Sequence, residues 1–150
     1  MTNAIQPYRG SYLMPAFERA SVADAMHPGV MSCAPDAPLV TVAQTMATHH
    51  VHCVVVAGVA TDDAGGDHLV WGLVSDLDIV RAGESGIEGK TAADAARTEV
   101  VTVDPSTPLV EVARLMDEHG TAHLLVTSGG QPAGVISSLD VAGVLAWGRA

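Results

Sequence analysis

Two short turns hold the residues of this chain whose types and spacing could do specific chemistry. Gly-x-x-Ser-x-x-Asp occurs at Gly72, Ser75 and Asp78, and again at Gly134, Ser137 and Asp140. In each case a run of aliphatic residues gives way to a helical pattern, so the motif lies where a strand turns into a helix. Glycine lets a ligand approach the backbone, and a helix start offers free N–H groups with a partial positive charge. The Asp carboxylate can accept from both hydroxyls of a vicinal diol, and the Ser hydroxyl can add one bond. Those parts suit a ribose. The same Ser-x-x-Asp spacing ahead of an apolar run is also a capping box, which needs no ligand. The residues alone leave both readings standing.

The histidines raise a metal reading. His49, His50, His52 and Cys53 lie close together, His119 and His123 are four apart, and His68 sits in a long loop. Zinc wants three or four such ligands converging in a tetrahedron. His49 and His119, however, fall at helix ends, where the dipole favours histidine, and structural or phosphate-facing roles account for the group better than a metal. Catalysis has little support: there is no nucleophile elbow, no His-Glu-x-x-His and no GxxxxGK loop. Ser75 and Ser137 have an aspartate nearby but no evident general base, so a protein without enzymatic activity is expected. Cys33 and Cys53 stand in apolar stretches and read as reduced, buried thiols.

These residues are positioned by a chain that is written twice. Asp24-Ala25 returns as Asp94-Ala95, Pro38-Leu39-Val40 as Pro108-Leu109-Val110, Met46 as Met116 and His49 as His119, each 70 positions later (94 minus 24). Beyond a loop the offset falls to 62: Gly72–Asp78 corresponds to Gly134–Asp140 (134 minus 72). The difference lies in Ala60–His68, whose Asp, Gly and His residues predict a surface loop. Two copies are too few for a solenoid, so a closed pseudo-twofold pair of one supersecondary unit is expected.

Within each copy, Leu39, Val42, Ala43 and Met46, or Leu109, Val112, Ala113 and Met116, form one apolar helix face. Thr107 reads as an N-cap before Pro108, and Gly120 as a terminating glycine. The first copy has Ala37 and His50 there, which predicts a less sharply bounded helix. Brief strands are expected at Val30–Cys33 and Val100–Val103, longer ones at His52–Ala57, Leu69–Ser75, His123–Thr127 and Ala133–Ser137, and lead-in helices at Ser21–Met26 and Thr91–Ala96. The unit is β-α-β-β-α. The division is an N-terminal extension at 1–20, repeats at 21–82 and 91–150, and a linker at 83–90. The extension holds Tyr8, Tyr12 and Phe17, three of five aromatics, which argues that it packs against something.

Composition bounds the function. Apolar residues make up 48% of the 150, charged ones 16%, and the net charge is −10. That describes a folded protein with a real core. Seven Lys and Arg are too few to neutralise a phosphate backbone, so no nucleic-acid partner is expected. The longest apolar run, about Cys53–Ala60, is far below the ~20 residues a membrane span needs. No charged segment followed by an apolar one opens the chain, and a cytoplasmic location is expected.

The stretches Val22–Met26, Ala34–Leu39 and Asp104–Leu109, the two Gly-x-x-Ser-x-x-Asp turns, and above all Gly72–Arg81 (GLVSDLDIVR) resemble the cystathionine-β-synthase-type (CBS) domains. These occur as tandem pairs called Bateman modules. The resemblance covers about Ser21 to Ala146 and implies an α/β fold of two repeats packed as a pseudo-twofold pair. It implies a regulatory, energy-sensing module that binds AMP, ADP, ATP or S-adenosylmethionine in the cleft between repeats, with no cofactor required. Ser75, Asp78, Ser137 and Asp140 would hold ribose, and Val30 and Val100 would wrap adenine beside Gly72 and Gly134. The family usually has Pro in the second strand, where this chain has Val55 and Leu125. A basic residue often precedes that strand to meet phosphate, and here the positions hold His52 and Ala122. Arg81, one turn beyond Asp78, could reach a phosphate or pair with Asp78 along the helix; its counterpart is Gly143. The first turn therefore suits a phosphorylated nucleotide, the second adenosine or a sulfonium ligand. The two helical faces predict a homodimer clasped by the aromatic tail, and an effector protein is a further expected partner. The competing classes are a ligand-free dimerisation scaffold and a histidine-based metal sensor.

Overall fold

A computed structural model of the chain describes residues 14–61, 67–98 and 100–148. Its elements begin with α1 (Val22–Ala25), β1 (His27–Pro28), β2 (Ser32–Cys33), α2 (Leu39–His49), β3 (Cys53–Thr61), β4 (Asp67–Ser75) and α3 (Asp76–Gly83). There follow α4 (Ala92–Ala95), β5 (Thr102–Val103), α5 (Leu109–His119), β6 (His123–Ser128), β7 (Gln131–Ser137) and α6 (Ser138–Trp147). The expected β-α-β-β-α order is present twice, as β2 to α3 and as β5 to α6. Among the described residues no helix is long and apolar enough to cross a membrane.

The chain divides into two compact units, Val30–Val100 and Met1–Gly29 with Val101–Ala150. These units do not follow the repeat boundaries, because each takes its lead-in segment from the other repeat. In the first unit β2 runs parallel to β3, and β3 pairs antiparallel with β4. Here α4 docks by Ala92 N–H to Ala37 O at 2.8 Å and Ala93 N–H to Pro35 O at 2.9 Å. In the second unit the sheet order is β1-β7-β6-β5, with β1 antiparallel on the edge of β7. There α1 docks by Val22 N–H to Thr107 O and Ala23 N–H to Pro105 O, both 2.9 Å.

Both lead-in helices start on capping boxes, Ser21 with Asp24 and Thr91 with Asp94. A four-residue helix is too short to be stable alone, so these two persist through the cap and through docking. The starts of α2 and α5 differ from expectation. Thr107 is not the N-cap; Pro38 and Pro108 are, and neither helix has a side-chain cap. The first free N–H groups are met instead by backbone: Leu39 N–H donates to Lys90 O and Leu109 N–H to Ala20 O. Nor is α2 less sharply bounded than α5. Both span 11 residues, because His50 adopts the left-handed conformation (φ 55°) that Gly120 adopts in the other copy. A non-glycine residue there costs roughly 1–2 kcal/mol.

Leu39, Val42 and Met46 are buried in one core with Val54, Val56, Val74 and Ala92. Leu109, Val112 and Met116 are buried in the other with Leu124, Val126, Ile136 and Val144. The helix face expected to form an interface is therefore internal. Among the described residues the exposed large apolar side chains are Val40, Leu77 and Val80 in the first unit, and Val110, Leu139, Leu145 and Trp147 in the second. The Ala60–His68 loop is also revised: Ala60 pairs with His68 and Thr61 with Asp67, so the extra residues lengthen the β3–β4 hairpin. Phe17 packs on the second unit's core. Tyr8 and Tyr12 lie outside the described residues.

Candidate ligand site

At the end of β4 the chain turns into α3 with Ser75 as N-cap. Ser75 Oγ accepts from Asp78 N–H at 3.2 Å and donates to Asp78 Oδ2 at 2.9 Å, while Ser75 N–H also reaches Oδ2 at 2.9 Å. The capping box is complete. Asp78 is nonetheless buried, with 6% of its side chain exposed. A buried carboxylate needs a partner, and Arg97 supplies it: Nε donates to Asp78 Oδ1 at 2.8 Å. Arg81 stands further off, with Nη1 3.9 Å from the same oxygen.

The second unit repeats the arrangement with one change. Ser137 caps α6, accepting from Asp140 N–H at 3.1 Å, and its own N–H donates to Asp140 Oδ2 at 2.8 Å. Asp140 is 8% exposed, and its neighbour is His27, whose Nδ1 lies 3.1 Å from Oδ1. Arg97 and His27 are repeat equivalents, 70 positions apart (97 minus 27).

Glycine makes both contacts possible. A Cβ on Gly72 would sit 2.7 Å from Arg97 O, and one on Gly134 would collide with His27 O. The space each glycine leaves is filled by the lead-in backbone of the same unit. That close approach allows Leu73 and Arg97 to exchange two backbone bonds of 2.9 Å, and His27 to pair opposite Val135.

The helix starts are less open than their positions suggest. In α3, Asp76 N–H donates to His52 O, Leu77 N–H to Asp76 Oδ1 and Asp78 N–H to Ser75 Oγ. The expected free N–H groups are thus engaged, and recognition at this turn falls to side chains. A carboxylate has about four acceptor positions. Three donors occupy Asp78 (Ser75 N–H, Ser75 O–H and Arg97 Nε–H), leaving about one. Asp140 has two neighbours, Ser137 N–H and His27, leaving about two. Only the second turn retains room for both hydroxyls of a diol.

The other residues singled out from sequence are spread around these turns. Val30 and Val100 are half-buried, just ahead of β2 and β5. His52 is paired with Asp76 at 2.9 Å. His49 and His119 occupy the last turns of α2 and α5. Among the described residues no three of His, Cys, Asp and Glu converge as a metal set. Burial, with the Asp76 charge adding to it, pushes the Cys53 thiol up to about 11, and burial raises Cys33 as well; neither is poised as a nucleophile.

Comparison with known proteins also finds one domain twice in this chain. The model of the CBS domain matches residues 22–85 and again 92–146. The chain belongs to the CBS-domain family. Hypoxic response protein 1 of Mycobacterium tuberculosis is 27% identical to it over 122 residues, covering 79% of this chain and 80% of that one. Two of the solved structures that share the fold illustrate this. The CBS domain pair of protein MJ0100, in complex with 5′-methylthioadenosine and S-adenosyl-L-methionine, has a TM-score of 0.70 at 18% identity, covering 85% of this chain and 96% of that one. Hypoxic Response Protein I with two coordinated zinc ions has a TM-score of 0.64 at 24% identity, covering 82% and 97%.

The residues that sequence reasoning missed in these CBS repeats are Arg97 and His27. Their one signal is the repeat offset. Each follows its lead-in helix by two residues, beside stretches that otherwise differ (Met26-His27-Pro28 and Ala96-Arg97-Thr98).

Proposed function

We propose that this tandem CBS pair is a non-catalytic regulatory module that binds an adenosine-containing ligand at one or both Gly-x-x-Ser-x-x-Asp turns. In this reading Asp140 with Ser137 receives both ribose hydroxyls, and Asp78 with Ser75 receives one. Val30 and Val100 contact the adenine near Gly72 and Gly134, and Arg81, with His52, faces a phosphate. The observation that carries the reading is the buried carboxylate at the third position of each helix, 6% and 8% exposed, with acceptor capacity that no described residue fills. A second support is that a CBS pair of the same fold has been solved with two adenosine-type ligands. Zinc, named for another relative, stays outside the proposal, since this chain's described residues bring no metal set together.

Thermal melts with AMP, ADP, ATP and S-adenosylmethionine test the reading. A ligand at a hundredfold excess over Kd raises stability by ~2.7 kcal/mol. No shift from any of the four at millimolar concentration would overturn it. The alternative is a ligand-free docking or dimerisation scaffold, which the exposed Val40, Leu77 and Val80, and Val110, Leu139 and Leu145, favour specifically. Apolar side chains of that kind in neighbouring helices mark an interface, and a true twofold would close it as a homodimer. Light scattering of the full chain and of Leu77→Asp separates the cases: a dimer that the substitution dissociates supports the interface, a monomeric full chain excludes it.

A further inference from the structure

In both units a side chain from the lead-in segment closes the same contact, and the two side chains differ in charge. Arg97 and His27 are themselves exposed (57% and 72%), while the carboxylates they reach are buried. Arg97 has five N–H donors, of which Nε alone is engaged, on Asp78 Oδ1. Its two Nη groups have no partner among the described residues. A guanidinium fixed at one edge by a buried carboxylate presents its remaining donors as a preorganised fork, the geometry that matches a phosphate. Arg81, 54% exposed, stands over the same carboxylate.

Counting only the groups at each carboxylate, Arg97, Arg81 and Asp78 sum to +1. His27 and Asp140, with Gly143 in the place of Arg81 (143 minus 62), sum to −1 when the histidine is neutral. Asp76, on the first turn, is directed at His52 and at its own helix's Leu77 N–H. In a chain of net charge −10, an anionic ligand must be met by such local cations, because the overall field repels it. The hydrogen-bond capacities differ in the same sense, with more room for a diol at Asp140 than at Asp78.

We propose that the residue at this lead-in position sets the charge of the ligand each repeat accepts. Arg97, held by Asp78 and assisted by Arg81, selects a phosphorylated adenosine ligand at the first turn. His27 leaves the second turn to an unphosphorylated or cationic one. This rests on the reading of the turns as adenosine sites and adds what distinguishes them.

Isothermal titration of the full chain with adenosine and with AMP, for wild type, Arg97→Gln, Arg97→Lys and His27→Arg, tests the inference. Arg97→Gln should weaken AMP about tenfold or more, the range for a charge-assisted bond, and leave adenosine within about threefold. Arg97→Lys should restore part of the loss, and His27→Arg should add AMP binding at the second turn. Equal weakening of adenosine and AMP by Arg97→Gln would mark Arg97 as structural, and an unchanged AMP-to-adenosine ratio would overturn the inference while leaving the adenosine sites intact. Failure of wild type to bind either probe would overturn this inference, whereas the adenosine-site reading itself falls only if none of the four ligands shifts the melt.

Discussion

Replacing Asp78 with asparagine preserves the shape of the side chain and removes its charge, in a place where both carboxylate oxygens are in use. Ser75 N–H and O–H donate to Oδ2, and Arg97 Nε–H donates to Oδ1. An amide offers one oxygen and one NH2. If its oxygen faces Ser75, its NH2 meets the Arg97 donor; if it faces Arg97, its NH2 meets the Ser75 N–H. Either way a donor opposes a donor at a side chain that is 6% exposed. Losing a hydrogen bond to a buried charge costs ~1.5–3 kcal/mol. The 57% exposure of Arg97 moves the expected value to the lower part of that range, ~2 kcal/mol, since solvent screens the pair. At ~2–4 °C per kcal/mol for a chain of this size, the melting temperature of the free protein should fall by ~4–8 °C. Calorimetry or denaturant titration without ligand measures this. The double variant Asp78→Asn with Arg97→Gln should destabilise by less than the two single changes summed, because they remove one shared contact. A free-protein change below ~0.5 kcal/mol, within the ordinary surface range, would refute the claim that this contact holds the turn. Since the contact exists without ligand, lost stability does not exclude a binding role, and affinity has to be read separately.

Gly72→Ala places a Cβ 2.7 Å from Arg97 O and should destabilise by ~1–3 kcal/mol, whereas Gly143→Ala, in α6 with open space around it, should stabilise by up to ~1 kcal/mol; denaturant titration compares them. His50→Gly relieves the left-handed backbone at φ 55° and should raise stability by ~1 kcal/mol, read in the same titration. Cys53, with its thiol pushed up to about 11 from an ordinary 9.0, keeps its proton longer in the folded than in the unfolded chain. Its contribution to stability is therefore full below pH 9 and declines as pH rises towards about 11. Iodoacetamide at about pH 8, below the ordinary thiol range, should accordingly label half-buried Cys33 before Cys53, and equal labelling rates in the folded protein would contradict the burial.

The parts of this fold that are legible in the sequence are those whose cause is local. Leu39, Val42 and Met46 repeat at helical spacing and are buried together, and the capping residues Ser21, Thr91, Ser75 and Ser137 each start a helix. What is not legible depends on distant chain. β1 is only His27-Pro28 and has no pattern of its own; it exists because the edge of β7, more than 100 residues on, pairs with it. Thr107 ahead of Pro108 has the pattern of a side-chain cap, yet backbone carbonyls of Lys90 and Ala20 satisfy the starts of α2 and α5. The apolar face of α2 and α5 reads as an interface because one pair of small repeats looks too small to cover all of it. The exchanged lead-in helices cover it instead, with Ala92 in one core and Val22 in the other.

The same distinction explains the candidate site. Spacing alone does not choose between a capping box and a ribose site at Gly-x-x-Ser-x-x-Asp, and the geometry shows that the two are not exclusive. Gly72 admits the backbone of Arg97, the backbone bridge to Leu73 aims the guanidinium, and the capping box aims the carboxylate that receives it. Each motif residue has a structural task, and the outcome of those tasks is a buried carboxylate with a cation at its edge. In the second copy the same three tasks are kept, by Gly134, Ser137 and Asp140, while His27 takes the place of the guanidinium. The lead-in side chain thus differs between the two turns while the close glycine contact and the capping serine are the same in both. On the proposed reading, one motif would carry two specificities: Gly, Ser and Asp build the turn in both copies, and residues 27 and 97, exposed on one side and paired on the other, are where the copies differ.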